Sequence, residues 1–201
     1  MAVAERSRKR PPEVLTSDEV RALIGPCSNR APTGIRNRAL IAVMWRCGLR
    51  VGEALALEPR DADLAGGTLR VRHGKGDRSR TGGLDDQTQA LIARWLDRRQ
   101  RLGINGRRRL FSKLDGGPLD QSYVRHLLRR LAAKAGIERR VHPHGLRHNY
   151  AAELAREGTP MNVLRDALGH GSLATTDRYL RDVAPVHVID TMRRREWEPV
   201  R

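Results

Sequence analysis

The stretch HPHGLRH, residues 142–148, puts His144, Arg147 and His148 at i, i+3 and i+4. On a helix starting near Pro143 the three side chains share a face. Two chemistries could use such a face. Histidines one turn apart copy a zinc pair, but the zinc-protease pattern needs a glutamate after the first histidine, and Gly145 stands there. No cysteine or carboxylate cluster lies close in sequence to complete a shell, and an arginine between two ligands repels a cation, so the metal reading is remote. An oxyanion fits better. The guanidinium fork matches two phosphate oxygens, and a helix N-terminus adds partial positive charge. The cluster reads as a phosphate grip.

A grip alone is only binding. Breaking a phosphate ester also needs a nucleophile, charge neutralisation and a proton for the leaving group. The sequence offers Arg50 with Glu53 one turn later in GLRVGEAL, Lys75 in HGKGDRS, His170 in LGHGS and Tyr179 in TTDRYL. Each has an ordinary alternative. Arg50 and Glu53 suit a helix-end ion pair, and Lys75 a solvated turn. His170 suits a helix C-terminus, and Tyr179 packing with its hydroxyl satisfied. His142 and His148 read as structural or supporting, Tyr123 and Tyr150 as packing residues. Lysine is scarce here: only Lys9, Lys75, Lys113 and Lys134 stand among 39 Lys+Arg. Arginine keeps its proton in a protein, whereas lysine can deliver one.

Elements must bring these residues together. Thr16 and Glu19 have capping-box spacing and open a helix. Residues 35–48 are helical with an apolar middle, Gly48 punctuates, and a short helix follows. Residues 68–74 alternate as a strand, 75–79 form a turn, and a second strand follows, loosened by the glycines of TGGL at 81–84. Residues 85–102 form an amphipathic helix, and LFS at 110–112 a short strand. A helix starts near Asp120 and ends at Gly136. Two helices, 144–157 and 160–168, are split by GTP. A short helix in SLATTDRYL and a last one in PVHVIDTMRRREW complete the chain. The fold class is α+β, dominated by helices, with one small antiparallel sheet carrying the Lys75 hairpin.

The 201 residues suit one domain with tails. Their net charge of +16 points to a polyanionic partner, because neutralising phosphates releases condensed counterions. Aromatic residues are 3%, so Leu, Ala, Val and Ile must fill the core. Cys27 and Cys47 match no metal spacing or disulfide framework. The longest apolar run, ALIAVMW at 39–45, is far short of a membrane span, and the first residues lack the apolar core of a secretory signal. These features indicate a soluble protein of a reducing compartment.

In order and spacing, GLRVGE, GKGD, HGLRH, LGHGS and DRYL resemble the tyrosine recombinases of the phage integrase family, over about residues 14–184. Each motif alone is weak; five in order are specific. The resemblance implies a catalytic domain at 13–184, preceded by a basic flexible arm at 1–12. A C-terminal segment at 185–201 would dock onto a neighbouring protomer, and no N-terminal core-binding domain is expected. It implies that Arg50 and Arg147 clamp the scissile phosphate, His144 assists proton transfer and His170 donates to the phosphate. Tyr179 would attack phosphorus, leaving a 3′-phosphotyrosine, and Lys75 would protonate the 5′-oxygen. Glu53 and His148 would support these groups. It further implies double-stranded DNA as partner, a homotetramer on DNA, neither metal nor other cofactor, and a cytoplasmic, nucleoid-associated location. The rivals are an idle DNA-binding remnant of an integrase and a metal-dependent nuclease using the histidines.

Overall fold

Helix α2, Pro32–Arg46, is buried on nearly every side, with Ala39, Leu40, Ile41, Val43 and Met44 wholly inaccessible. A helix apolar all round must run through a core rather than along a surface. Each of the four larger side chains contributes ~1.5–3 kcal/mol by leaving water. The computed structural model describes residues 14–72, 79–106, 108–169 and 193. Before α2 lies α1, Ser17–Ile24, with the expected Thr16–Glu19 capping box. Around α2 pack α4, Asp86–Arg101, and α6, Pro143–Arg156, while α5, Gln121–Lys134, covers α1 and α3, Val51–Ala56. Arg46 joins three of these helices, donating to Asp85 at 3.1 Å and to Glu153 at 3.0 Å. Helix α7, Met161–Leu168, closes on α6 through Leu164, Leu168 and Ala151.

Among the described residues the sheet is antiparallel, in the order β1 (Ala62–Asp63), β2 (Thr68–Val71), β3 (Arg80–Gly83). The two-residue β1 was not foreseen, because it is too short to show alternation. β3 pairs with β2 along its whole length despite its glycines, from Thr68 opposite Gly83 to Val71 opposite Arg80. Leu69 and Val71 face the core.

Helix starts agree with the sequence at Asp85 and Asp120, whose carboxylates accept from the Thr88 and Tyr123 amides. α2 begins earlier than expected, at Pro32, since proline suits the first helical turn. The expected strand at 110–112 is absent; Ser112 makes a single bridge to Pro118. Leu110 and Phe111 lie in the core, and the Leu110 backbone is satisfied from other directions. Its carbonyl accepts from the Trp95 indole at 2.7 Å, and its amide donates to the Leu57 carbonyl at 2.6 Å. The cysteines are buried and unbridged. No helix among the described residues is long and apolar enough to cross a membrane.

Candidate active site

Three chain segments converge on Glu53. Gly48, with φ +58, ends the run from α2 and turns the chain into α3; a Cβ there would stand 2.3 Å from the Tyr150 ring. Arg50 then occupies the N-cap position of α3 with extended backbone, and Glu53 is the third residue of the helix. The Glu53 carboxylate therefore folds back over the helix start. It accepts from the Arg50 amide at 2.8 Å and from the Arg50 guanidinium at 2.7 Å. Arg80, from β3, grips both carboxylate oxygens, at 3.0 and 2.7 Å. Arg147, from α6, approaches to 3.8 Å.

The Glu53 side chain is 5% exposed. Burial alone would raise its pKa, but the hydrogen bonds and charge of Arg80, with those of Arg50, hold it at about 2. It is an ionised carboxylate around which three arginines are ordered. Arg147 is completely buried and fixed from behind, donating to the Gly48 carbonyl at 2.7 Å and to the Leu168 carbonyl. Arg50 stays 29% exposed and able to meet a ligand.

α6 starts at Pro143, as read from the sequence, with His142 as its cap: Nδ1 accepts from the Gly145 amide at 3.2 Å. His144 sits one turn before Arg147 and presents its ring to solvent, its edge packed on His148 at 4.5 Å between centroids. Burial, then the charges of Arg147, His142 and Arg50, lowers the His144 pKa. For His148, burial followed by His144, His142 and Arg147 brings it to about 4. At neutral pH both rings are uncharged, each with one N–H donor and one acceptor nitrogen.

In front of these residues lies a cleft of about 570 Å³, lined by Arg50, Arg125, Arg140, His142, His144 and Arg147. Among the described residues its lining carries no carboxylate, and it can hold an oxyanion between arginine forks and imidazole donors. Another groove, of about 700 Å³ between α1 and the end of α5, is lined by Asp18, Glu19 and Glu138 with the single cation Arg139, which pairs with Glu19, and suits an anion less well. Among the described residues no three His, Cys, Asp or Glu side chains gather as a metal site.

Of the residues singled out by sequence, the structure brings Arg50, Glu53, His144, Arg147 and His148 together. Lys75, His170 and Tyr179 lie outside the described residues, as do the helices expected beyond residue 170 except for residue 193. Arg80 was not anticipated, nor were Arg125 and Arg140 of the cleft. The available signal for Arg80 was pairing: residues opposite each other in an antiparallel ladder point to one face, and Val71, its partner, is buried.

The described residues form a mostly helical domain with a three-stranded sheet, in which a carboxylate-anchored set of arginines adjoins a cleft suited to an oxyanion. Residues 13–184 match the model of the phage integrase family, and the chain belongs to that family. It is 35% identical over 177 residues to the tyrosine recombinase XerD of Xanthomonas axonopodis pv. citri (strain 306), covering 84% of this chain and 58% of that one. The chain thus spans less than two thirds of that relative's length. The crystal structure of XerA recombinase superposes with a TM-score of 0.82 at 31% identity, covering 94% of this chain and 67% of the other. XerH site-specific recombinase, in a post-cleavage complex with a palindromic difH substrate, gives a TM-score of 0.76 at 28% identity, covering 95% and 56%.

Proposed function

We propose that the chain is the catalytic domain, at residues 13–184, of a site-specific DNA recombinase that cuts and rejoins DNA through a 3′-phosphotyrosine. The observation that carries this reading is the Glu53-anchored pair Arg50 and Arg147 on the anion cleft of a phage integrase family member. The likeness to XerH in a complex with its difH substrate supports DNA as the substrate.

In this reading Arg50 and Arg147 hold the non-bridging oxygens of the scissile phosphate and neutralise the charge that grows at phosphorus. The Tyr179 hydroxyl gives up its proton and its oxygen bonds to phosphorus. His144 assists that proton transfer, and His170 donates to a phosphate oxygen. The bond from phosphorus to the 5′-oxygen breaks, and Lys75 supplies the proton that makes a 5′-hydroxyl. Glu53 and His148 steady the arginines and His144. The phosphotyrosine conserves the ester, so a second 5′-hydroxyl reverses the step without a nucleotide cofactor, and no metal is required. Residues 185–201 dock onto a neighbouring protomer, giving a tetramer on DNA, while the basic residues of 1–12 contact phosphates.

The test is covalent trapping. The chain is incubated in EDTA with nicked duplexes drawn from DNA flanking its own gene, then denatured in detergent. A protein–DNA adduct formed by the wild type and lost in Tyr179→Phe is expected. DNA binding without an adduct would point instead to an idle binder, and an activity abolished by EDTA to a metal-dependent nuclease. Ending the chain near Ala184 should reduce its assembly on DNA in gel filtration; unchanged assembly would refute the docking role.

A further inference from the structure

Arg80 belongs to none of the roles above, yet it makes the most complete pairing with Glu53. Its side chain is 10% exposed, and both terminal nitrogens are directed at the two carboxylate oxygens. The same guanidinium lies against Gly169, where a Cβ would stand 2.9 Å from its Nη1. Gly169 has φ +58 and ends α7, directly after Leu168, whose carbonyl accepts from Arg147. Arg80 therefore braces, at once, the carboxylate that orients Arg50 and the helix end that backs Arg147.

Charge adds a second reason. Glu53 beside Arg50 and Arg147 alone would cancel half of their positive charge. With Arg80, three guanidiniums surround one carboxylate and leave a surplus of two positive charges around Glu53, beside the cleft. Glu53 can thus order the arginines without silencing them.

We propose that Arg80 is a positioning residue for the phosphate clamp, fixing and neutralising Glu53 so that Arg50 and Arg147 meet the anion aligned and fully charged. The proposal rests on the recombinase reading. It is tested with single-turnover cleavage by the full chain on three duplexes that differ only at the scissile linkage. One carries the ordinary phosphate. One carries a methylphosphonate, which lacks an ionised oxygen and so asks less of a cationic clamp. One carries a bridging sulfur at the 5′ position, which leaves as a thiolate and needs no proton.

Arg80→Met should slow cleavage of the phosphate about a hundredfold and of the methylphosphonate less than about tenfold, while the bridging sulfur leaves the hundredfold loss in place. Arg80→Lys, which keeps the charge without the fork, should fall between wild type and Arg80→Met on the phosphate and show the same relief on the methylphosphonate. If Arg80→Met does not fold, Arg80→Lys on the same three duplexes decides. Equal losses on all three would reduce Arg80 to a stabilising residue, and relief by sulfur instead of by the methyl group would move its action to the leaving group; either overturns the proposal. Wild type that cuts none of the duplexes would refute the recombinase reading itself.

Discussion

Replacing Glu53 by glutamine keeps the shape of the side chain and removes its charge. In the wild type, burial opposes ionisation, but Arg80 and Arg50 outweigh it and bring the carboxyl from its ordinary 4.5 to about 2. That drop corresponds to ~3 kcal/mol in favour of the folded, ionised form. With only 5% of the side chain exposed, solvent screening erodes little of it. The folded value lies below the unfolded one, so the contribution is complete above about 4.5 and is lost as pH falls toward about 2. Glutamine supplies none of it and leaves Arg80 and the buried Arg147 against a neutral amide, a loss of about 3–5 kcal/mol. Urea unfolding of both chains, from about pH 7 down to about pH 2.5, should show that gap at neutral pH and its steady narrowing once below about 4.5. The other carboxylates titrate in both chains and drop out of the difference. A gap under about 1 kcal/mol at neutral pH, or one that stays constant into acid, would refute the account of Glu53 as an ionised anchor.

Arg147→Lys should lose stability by about 2 kcal/mol, since two separate guanidinium nitrogens serve the Gly48 and Leu168 carbonyls and lysine has one nitrogen on a different stem, and should slow adduct formation about a hundredfold. Chemical denaturation and covalent trapping read the two effects separately. Gly48→Ala should cost at least ~2 kcal/mol, because the left-handed backbone is strained for alanine and the new methyl meets the Tyr150 ring; a change within the noise of a urea titration would contradict this. In NMR titrations the His148 ring should protonate near about 4, with His144 also below the ordinary 6.5. Because the fold favours neutral His148, the stability this provides is complete above 6.5 and lost as pH falls through about 4. His148→Gln should flatten that part of the acid profile.

Local signals in the sequence carried well. The Thr16–Glu19 box and the helix starts at Asp85, Asp120 and Pro143 each depend on residues within one helical turn. The same holds for Arg50 with Glu53 and for His144 with Arg147 and His148, so their shared faces could be read by counting. Arg80 could not be found in that way. Its pairing with Glu53 spans 27 positions, and its register depends on the number of residues between β2 and β3. In an arginine-rich chain nothing in residue type separates Arg80, Arg125 or Arg140 from solvated neighbours. The Leu110–Phe111 pair misled for a related reason. Apolar residues in a short run mark burial but not hydrogen-bond partners, and here the Trp95 indole and the Leu57 amide-to-carbonyl link replace a strand neighbour.

The sequence span between Arg50 and Arg147, the two arms of the proposed clamp, has a consequence for synthesis. Arg147 hydrogen-bonds to Gly48 across 99 positions, and its neighbour Asn149 donates to Leu15 across 134. A ribosome extends a chain at ~5–20 residues per second, so Glu53, Arg50 and Arg80 are all made several seconds before α6. During that interval Arg80 can already neutralise Glu53, while only one arm of the grip exists. In the recombinase reading the two-armed phosphate grip therefore cannot form until the sixth helix has emerged and docked, so the order of translation sets when the site is assembled.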